Sequence, residues 1–275
     1  MFHIVNNSIF ENSQKSINVS DRGFTLGHGL FETILSVNGN LPFLNYHWER
    51  LIKSAEKIFI KIDLSYEEFR FQIQRLLESN KLLETYASVR LTVTHGEANR
   101  GIFPIDPIKP NIIYMASKIQ EPNDKPLTAK IVNTKRNENS ISCQVKSISY
   151  LDNIMAKKEA IDAGYDEAIL LNSKGFVAEG SITNIFVVKD DKIFTPTIES
   201  GALPGITRRV LLNDLHLDIK EMDISVDFLF NSDEVFVTNS LMGIKVISKI
   251  DKQEKDSVII YNQVFRKFKS YLNIV

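Results

Sequence analysis

FVAEGSITNIFVVKDDKIFTPTIESGALPGITRR, residues 176 to 209, joins an acid, a predicted hairpin and a potential anion-binding loop in one short β-rich segment. Residues 184–188 form an apolar run, Asp190-Asp191 provides a turn, and residues 193–195 suit a returning strand. Such a pattern predicts a β-hairpin. Glu179, just before the hairpin, is the candidate functional acid.

The segment that follows the hairpin is predicted to enter a helix. Pro204-Gly205 interrupts the chain, and apolar residues at helical spacing begin at Ile206. The free N–H groups and positive dipole end of such a helix suit a phosphate, which makes Gly205 to Thr207 a candidate phosphate loop. The alternative is that Pro-Gly only ends one element and Thr207 only caps the next.

Composition indicates an ordinary soluble globular protein. Its 275 residues are 43% apolar, enough for one or two cores, and 33 basic against 34 acidic residues leave a net charge of −1. That charge gives no footprint for nucleic acid or an anionic membrane. Cys143 is the single cysteine, the histidines show no metal-ligand spacing, and no segment is long and apolar enough to span a bilayer. We expect a cytoplasmic protein that uses no metal.

The periodicity predicts mixed α/β structure in two domains. Residues 117–127 are polar, contain two prolines and separate a domain over 1–116 from a domain over 128–275. Asn38-Gly39 predicts a hairpin across residues 31–44. The other predicted elements are helices over 45–60, 66–77, 150–163, from 206 and over 257–272, and strands over 89–93, 111–116, 129–133, 220–224 and 234–238.

Six ordered strings carry a resemblance that extends over nearly the whole chain. They are DRGFTLGHGLFET (21–33), HWERL (47–51), KSISYLDNIMAKKEA (146–160), AEGSITNIF (178–186), ALPGITRR (202–209) and DEVFVTNSLMGI (233–244). Together they resemble the class IV aminotransferases, the pyridoxal-phosphate enzymes of fold type IV. The resemblance implies a two-domain α/β fold with pyridoxal 5'-phosphate in the cleft between the domains, and a homodimer.

The resemblance assigns roles that spacing alone does not. Lys146 matches the lysine to which the family attaches its cofactor, and its apolar neighbours suit a partly buried amine. Glu179 matches the acid that keeps the pyridine nitrogen protonated, which the ring needs in order to accept electrons. Taken singly, either residue would be read as an ordinary surface charge.

The other implied cofactor ligands surround the phosphate and the ring. Arg50 matches the family's phosphate-binding arginine, which offers forked, charge-assisted hydrogen bonds. The remaining implied cofactor-binding residues are Ile206 and Thr207 through their N–H groups, Asn239 and Ser240 after a short strand, and Leu203 against the ring.

Within the family, the chain resembles the aminodeoxychorismate lyases. D-amino-acid aminotransferases hold the substrate carboxylate with an R-x-H string, whereas this chain has NRGI at 99–102, with Arg100 kept and no histidine. The resemblance implies a lyase that converts 4-amino-4-deoxychorismate to 4-aminobenzoate and pyruvate, a step toward folate, with Arg100 binding a substrate carboxylate.

Two alternatives stay open at the level of sequence. One is transamination of D-amino acids or branched-chain amino acids, and the other is a protein that binds the cofactor without its own chemistry. His28 stands where the family often has aspartate, and the sequence assigns it no role.

Overall fold

The computed structural model describes residues 1–12, 14, 16–103 and 108–272, and it divides into two compact units. The first unit is Met1–Glu121 with Lys146–Ser149, and the second is Pro122–Val145 with Tyr150–Val275. Lys146 therefore groups with the N-terminal part of the chain. None of the helices in the described part is long and apolar enough to cross a membrane.

The first unit is built on a five-stranded antiparallel sheet in the order β2-β1-β5-β4-β3. The strands are rich in β-branched and aromatic residues, which suit a sheet that is covered by other elements. Its elements are β1 Phe2–Val5, β2 Ser8–Glu11, α1 Arg22–Leu26, β3 Gly29–Val37, α2 Leu44–Lys57, α3 Tyr66–Ser79, β4 Tyr86–Thr94 and β5 Asn111–Lys118.

The core of this unit lies between the sheet and the helices α2 and α3. Phe69 and Ile73 on α3 are fully buried, and Phe69 contacts the rings of Trp48 on α2 and Tyr114 on β5. Helix α3 begins at a capping box in which Ser65 and Glu68 bond each other's backbone N–H groups. The helices predicted over 45–60 and 66–77 and the strands predicted over 89–93 and 111–116 are confirmed, with ends shifted by a few residues.

One expectation for this unit is wrong. Asn38 and Gly39 do form a tight turn with φ of 49° and 81°, but no strand returns from it. Val37 and Asn40 share only an isolated bridge before α2 begins at Leu44. The long strand β3 instead pairs with β4 along its whole length, because that partner offers nine residues of ladder and a covered face.

The second unit is built on a mixed sheet in the order β11-β10-β9-β12-β13-β6-β7-β8, with β14 paired to β13. The pairs β10–β11, β13–β6 and β6–β7 are parallel and the others antiparallel. Its elements are β6 Leu127–Arg136, α4 Ile141–Gln144, α5 Leu151–Asp162, β7 Glu167–Asn172, β8 Val177–Gly180, β9 Asn184–Lys189, β10 Lys192–Thr195, α6 Ile206–Asn213, β11 Ile219–Glu221, α7 Val226–Phe230, β12 Glu234–Asn239, β13 Gly243–Ile250, β14 Gln253–Glu254 and α8 Ile259–Leu272.

The hairpin predicted from the opening segment is confirmed. Strand β9 pairs with β10 across Asp190-Asp191, whose φ values of 50° and 59° are the left-handed pair that a two-residue hairpin needs. One face of the sheet buries an aliphatic core that includes Ile185, Val235 and Ile247. Helix α5 covers the strands β6 and β7 with Ala156 and Ala160, whose small side chains allow close packing.

Candidate functional site

A buried acid–base–guanidinium group lies in the first unit. Glu32 on β3 accepts from Arg50 Nε at 2.8 Å and from Arg50 Nη2 at 2.5 Å, and its Oε2 lies 2.6 Å from His47 Nδ1. His47 and Arg50 lie three residues apart on α2, so both side chains point to the same side of the helix. The forked pair of bonds to Glu32 holds the Arg50 guanidinium in one orientation.

The electrostatics of this group follow from burial opposed by pairing. Burial alone would raise the pKa of Glu32, but Arg50 and His47 outweigh it and lower the pKa to about 2. Burial lowers the pKa of His47 further than Glu32 raises it. The imidazole therefore stays neutral at pH values where an ordinary histidine begins to take up its proton. The charge of Lys146 also acts on His47, which brings the predicted cofactor lysine and Arg50 into one electrostatic neighbourhood.

Lys146 is held against the end of β3 by its backbone. Its carbonyl accepts from the N–H of Phe31 at 2.9 Å, and the N–H of Ile148 donates to Gly29 at 3.1 Å. The Nζ atom lies 4.2 Å from the centroid of the Phe31 ring, and the Arg90 guanidinium carbon lies 4.0 Å from the same centroid. Two cationic groups therefore share one aromatic ring.

The loop that carries Arg100 is fixed by a buried arginine. Arg22 Nη1 donates to the carbonyl of Gly101 at 2.9 Å, and its Nη2 donates to the carbonyl of Ile102. Arg100 itself is exposed. The sequence assigned no role to His28. Its Nε2 forms a hydrogen bond with the carbonyl of Ile58 at 2.9 Å, and this nitrogen is therefore engaged by the backbone.

In the second unit, Glu179 lies at the end of β8 and is held from two sides. Its Oε1 lies 2.7 Å from Arg136 Nη2, and its Oε2 accepts from the N–H of Leu203 at 2.8 Å. Asn184 Nδ2 donates to the carbonyl of Leu203 at 2.8 Å. The structure thus brings together two predicted ring contacts, Glu179 and Leu203.

The predicted phosphate loop opens helix α6. Gly205 is the N-cap residue, and no side chain in the described part of the chain caps this helix. A Cβ atom at Gly205 would stand 1.9 Å from Asn184 Oδ1, so only glycine allows this approach. Ile206 and Thr207 are buried in the first turn, where N–H groups have no intrahelical partner.

The other predicted contacts lie at the end of strand β12 and directly after it. Asn239 Oδ1 accepts from the N–H groups of Leu241 at 3.0 Å and Met242 at 2.8 Å, so its amide holds the turn into β13. Ser240 is half-buried in this turn. The roles of these residues toward a cofactor stay predictions.

Sequence reasoning missed the residues that support the predicted ones. His47 and Glu32 could have been found, because His47 precedes Arg50 by one helical turn and Glu32 stands inside the GLFET string. Arg136 carries no local signal, since it ends β6 and meets Glu179 only through the pairing of β6 with β7 and of β7 with β8.

The group around Glu32 predicts a stability that depends on pH. The unfolded chain protonates His47 near its ordinary pKa of 6.5, whereas the folded chain resists protonation, so stability is fully present above pH 6.5 and is lost as the pH falls. We expect His47→Asn to reduce the slope of unfolding free energy against pH between 5 and 6.5, by up to about 1.4 kcal/mol per pH unit for one proton.

Urea unfolding monitored by circular dichroism at several pH values measures this slope. His216→Asn is the matched control, because His216 is exposed and its φ of 48° suits asparagine. An unaltered slope in His47→Asn would show that His47 takes up its proton equally in both states.

Comparison with known proteins identifies the family of the chain. Residues 29–250 match the class IV amino-transferase family. D-alanine aminotransferase of Staphylococcus epidermidis is 29% identical over 276 residues, covering 98% of this chain and 96% of that protein. Aminodeoxychorismate lyase of Bacillus subtilis is 31% identical over 253 residues, covering 90% of this chain and 86% of that protein.

A solved structure agrees on the fold. The branched-chain aminotransferase of Thermoproteus uzoniensis with norvaline superposes with a TM-score of 0.91 at 26% identity, covering 99% of this chain and 94% of that one. The predicted fold type IV architecture is confirmed, and the chain belongs to the class IV aminotransferase family.

Proposed function

We propose that this protein is a pyridoxal-phosphate-dependent 4-amino-4-deoxychorismate lyase, which forms 4-aminobenzoate and pyruvate. Its cofactor is pyridoxal phosphate, as membership in the class IV family indicates. The choice of a lyase rests chiefly on one observation, the loop at Arg100. Ile102, 84% exposed, stands where the D-amino-acid aminotransferase string carries a second polar ligand for the substrate carboxylate.

The side chains described above have the chemistry that a phosphorylated pyridine ring requires. Lys146 supplies the amine, Glu179 supplies an acid for the ring nitrogen, and the start of α6 supplies N–H groups for a phosphate. Arg50 supplies a guanidinium whose direction is set by its two bonds to Glu32. We propose that Ser240, Asn239, Leu203, Ile206 and Thr207 also bind the cofactor.

The bound cofactor supplies an electron sink for the pair released from the broken C–H bond of the substrate. In the proposed reaction, the Lys146 amine removes the proton from the amine-bearing carbon of the substrate. The C–O bond to the enolpyruvyl group then breaks and the ring becomes aromatic. The departing enolpyruvate takes a proton, from Lys146 in this proposal, and leaves as pyruvate.

Positive charge near Lys146 suits a substrate with two carboxylates. Arg90 and Lys146 both contact the Phe31 ring, at 4.0 and 4.2 Å from its centroid. The exposed Arg100 adds a further cationic group, which can bind a carboxylate of the substrate. Transamination of amino acids is the second candidate, favoured by the identity to the D-alanine aminotransferase.

We further propose a homodimer, placed in the cytoplasm and serving folate synthesis. Helix α5 supports the dimer, because Leu151, Ile154, Met155 and Ile161 are each more than half exposed although they are large and apolar. Their spacing puts them along one side of the helix. An exposed apolar stripe of this kind is typical of an interface.

The cofactor assignment predicts a yellow protein with pyridoxal phosphate attached at Lys146. Borohydride reduction followed by peptide mass spectrometry should find the phosphopyridoxyl group on the peptide with Lys146, and Lys146→Ala should lose it. A label on Lys158, whose ammonium is paired with Asp162 at 2.6 Å, would overturn the alignment. A colourless protein that takes up no cofactor would contradict the proposed function altogether.

The reaction assignment predicts turnover with a single substrate. Elimination regenerates the starting enzyme, whereas transamination needs a keto acid to complete its cycle. With aminodeoxychorismate and no keto acid, we expect many turnovers and equal amounts of 4-aminobenzoate and pyruvate, measured by chromatography and a coupled pyruvate assay. Arg100→Ala should raise KM by about 10- to 100-fold with little change in kcat, the cost of a lost bond to a charged group.

Two results would reverse this assignment. Silence with aminodeoxychorismate, together with amino transfer from D-alanine or a branched-chain amino acid to 2-oxoglutarate, would establish the transaminase. An unchanged KM in Arg100→Ala would remove Arg100 from substrate binding while leaving the lyase in place.

The proposed dimer predicts that Ile154→Glu yields monomers, because a buried unpaired charge at an interface is unfavourable. Size-exclusion chromatography with light scattering measures the mass. Phe71→Glu, a matched change of an exposed apolar residue on α3, should leave the dimer intact. A monomeric unaltered protein would refute the dimer, and a dimeric Ile154→Glu would show that α5 is not the interface.

A further inference from the structure

Glu179 is held by a support that the cofactor residues alone do not explain. Arg136 and Glu179 are 5% and 4% exposed, and 2.7 Å separates the guanidinium Nη2 from the carboxylate Oε1. Two charges so deeply buried are tolerated only when they are paired and hydrogen-bonded. Arg136 therefore supplies a positive partner for the buried Glu179 carboxylate.

Arg136 is itself fixed by two further contacts. Its Nη1 donates to Asn153 Oδ1 at 3.2 Å, and its Nε donates to the carbonyl of Gly201 at 3.4 Å. A guanidinium engaged through all three of its nitrogens cannot rotate, unlike a lysine ammonium on a flexible stem. The direction from which Glu179 meets its positive partner is set by this fork.

Asn153 connects the arginine to the turn that follows Glu179. Its Nδ2 donates to the carbonyl of Ser181 at 2.7 Å, while its Oδ1 accepts from Arg136. Ser181 is held in turn by the buried Glu167, which accepts from its N–H at 3.2 Å and from its hydroxyl. One amide thus orients both the guanidinium and the end of the strand that carries the acid.

We propose that Arg136, oriented by Asn153, is a positioning residue that keeps Glu179 as a carboxylate aimed at the cofactor nitrogen, and so keeps the proton of that pair on the ring. This inference rests on the proposed role of Glu179. Arg136 bonds the carboxylate directly, so its charge favours the ionised form of the acid. Without it, the buried acid would hold the proton itself.

The nitrogen-15 chemical shift of labelled pyridoxal phosphate in the holoenzyme tests this, because it reports whether the ring nitrogen carries the proton. We expect the protonated shift in the unaltered protein and a shift toward the neutral ring in Arg136→Met. Arg136→Lys and Asn153→Leu should give smaller displacements in the same direction. We expect kcat to fall by about 10- to 100-fold in Arg136→Met with KM little changed.

The control is Glu234→Gln, which alters another buried acid of the same sheet. Glu234 accepts from the N–H groups of Ile260 and Tyr261 at the start of α8, so its loss should lower the melting temperature without moving the nitrogen-15 shift. If Arg136→Met does not fold, Arg136→Lys and Asn153→Leu carry the test.

The outcomes separate this inference from the proposed function. An unmoved nitrogen-15 shift in all the Arg136 and Asn153 variants that bind cofactor would overturn the inference, even with lower stability. Failure of the unaltered protein to bind pyridoxal phosphate, or a neutral ring in it, would instead defeat the role proposed for Glu179.

Discussion

The buried contact between Arg136 and Glu179 is the constraint on which the second unit depends. An acid that is 4% exposed must find its partners inside the fold, and they come from three places: the end of β6, the amide of Leu203 and, through Arg136, the helix α5. Each partner fixes one more element around β8. The unfavourable burial of the charge is offset by its ion pair and hydrogen bonds, which also order the surrounding chain.

The first unit also contains a buried carboxylate that is paired with an arginine. Glu32 is buried beside α2 and meets a bidentate arginine and a neutral imidazole. In both units an arginine fork and a carboxylate lock a strand to a neighbouring element. The difference lies in what is held: in the first unit the arginine is the predicted cofactor ligand and the acid supports it, whereas in the second unit the acid is the predicted ligand.

Much of this could be read from the sequence, and the exceptions have physical causes. The hairpin at Asp190-Asp191 and the helix from Ile206 were predictable because turn residues and periodicity are local signals. The strand expected after Gly39 failed because the turn was right while the ladder was decided by a distant partner, β4. The role of Arg136 could not be predicted for the same reason, since its partner Glu179 lies two strands away along the chain.

The close approach of Gly205 to Asn184 ties two distant positions of the sequence together. An added Cβ at residue 205 would overlap the Asn184 oxygen, and the same asparagine holds the carbonyl of Leu203 through its nitrogen. Neither residue can change alone: a larger residue at 205 demands a shorter one at 184, which then releases Leu203. Evolutionary drift at these two positions is therefore coupled, because a larger residue at 205 is admitted only with a smaller one at 184 and with loss of the bond that holds Leu203.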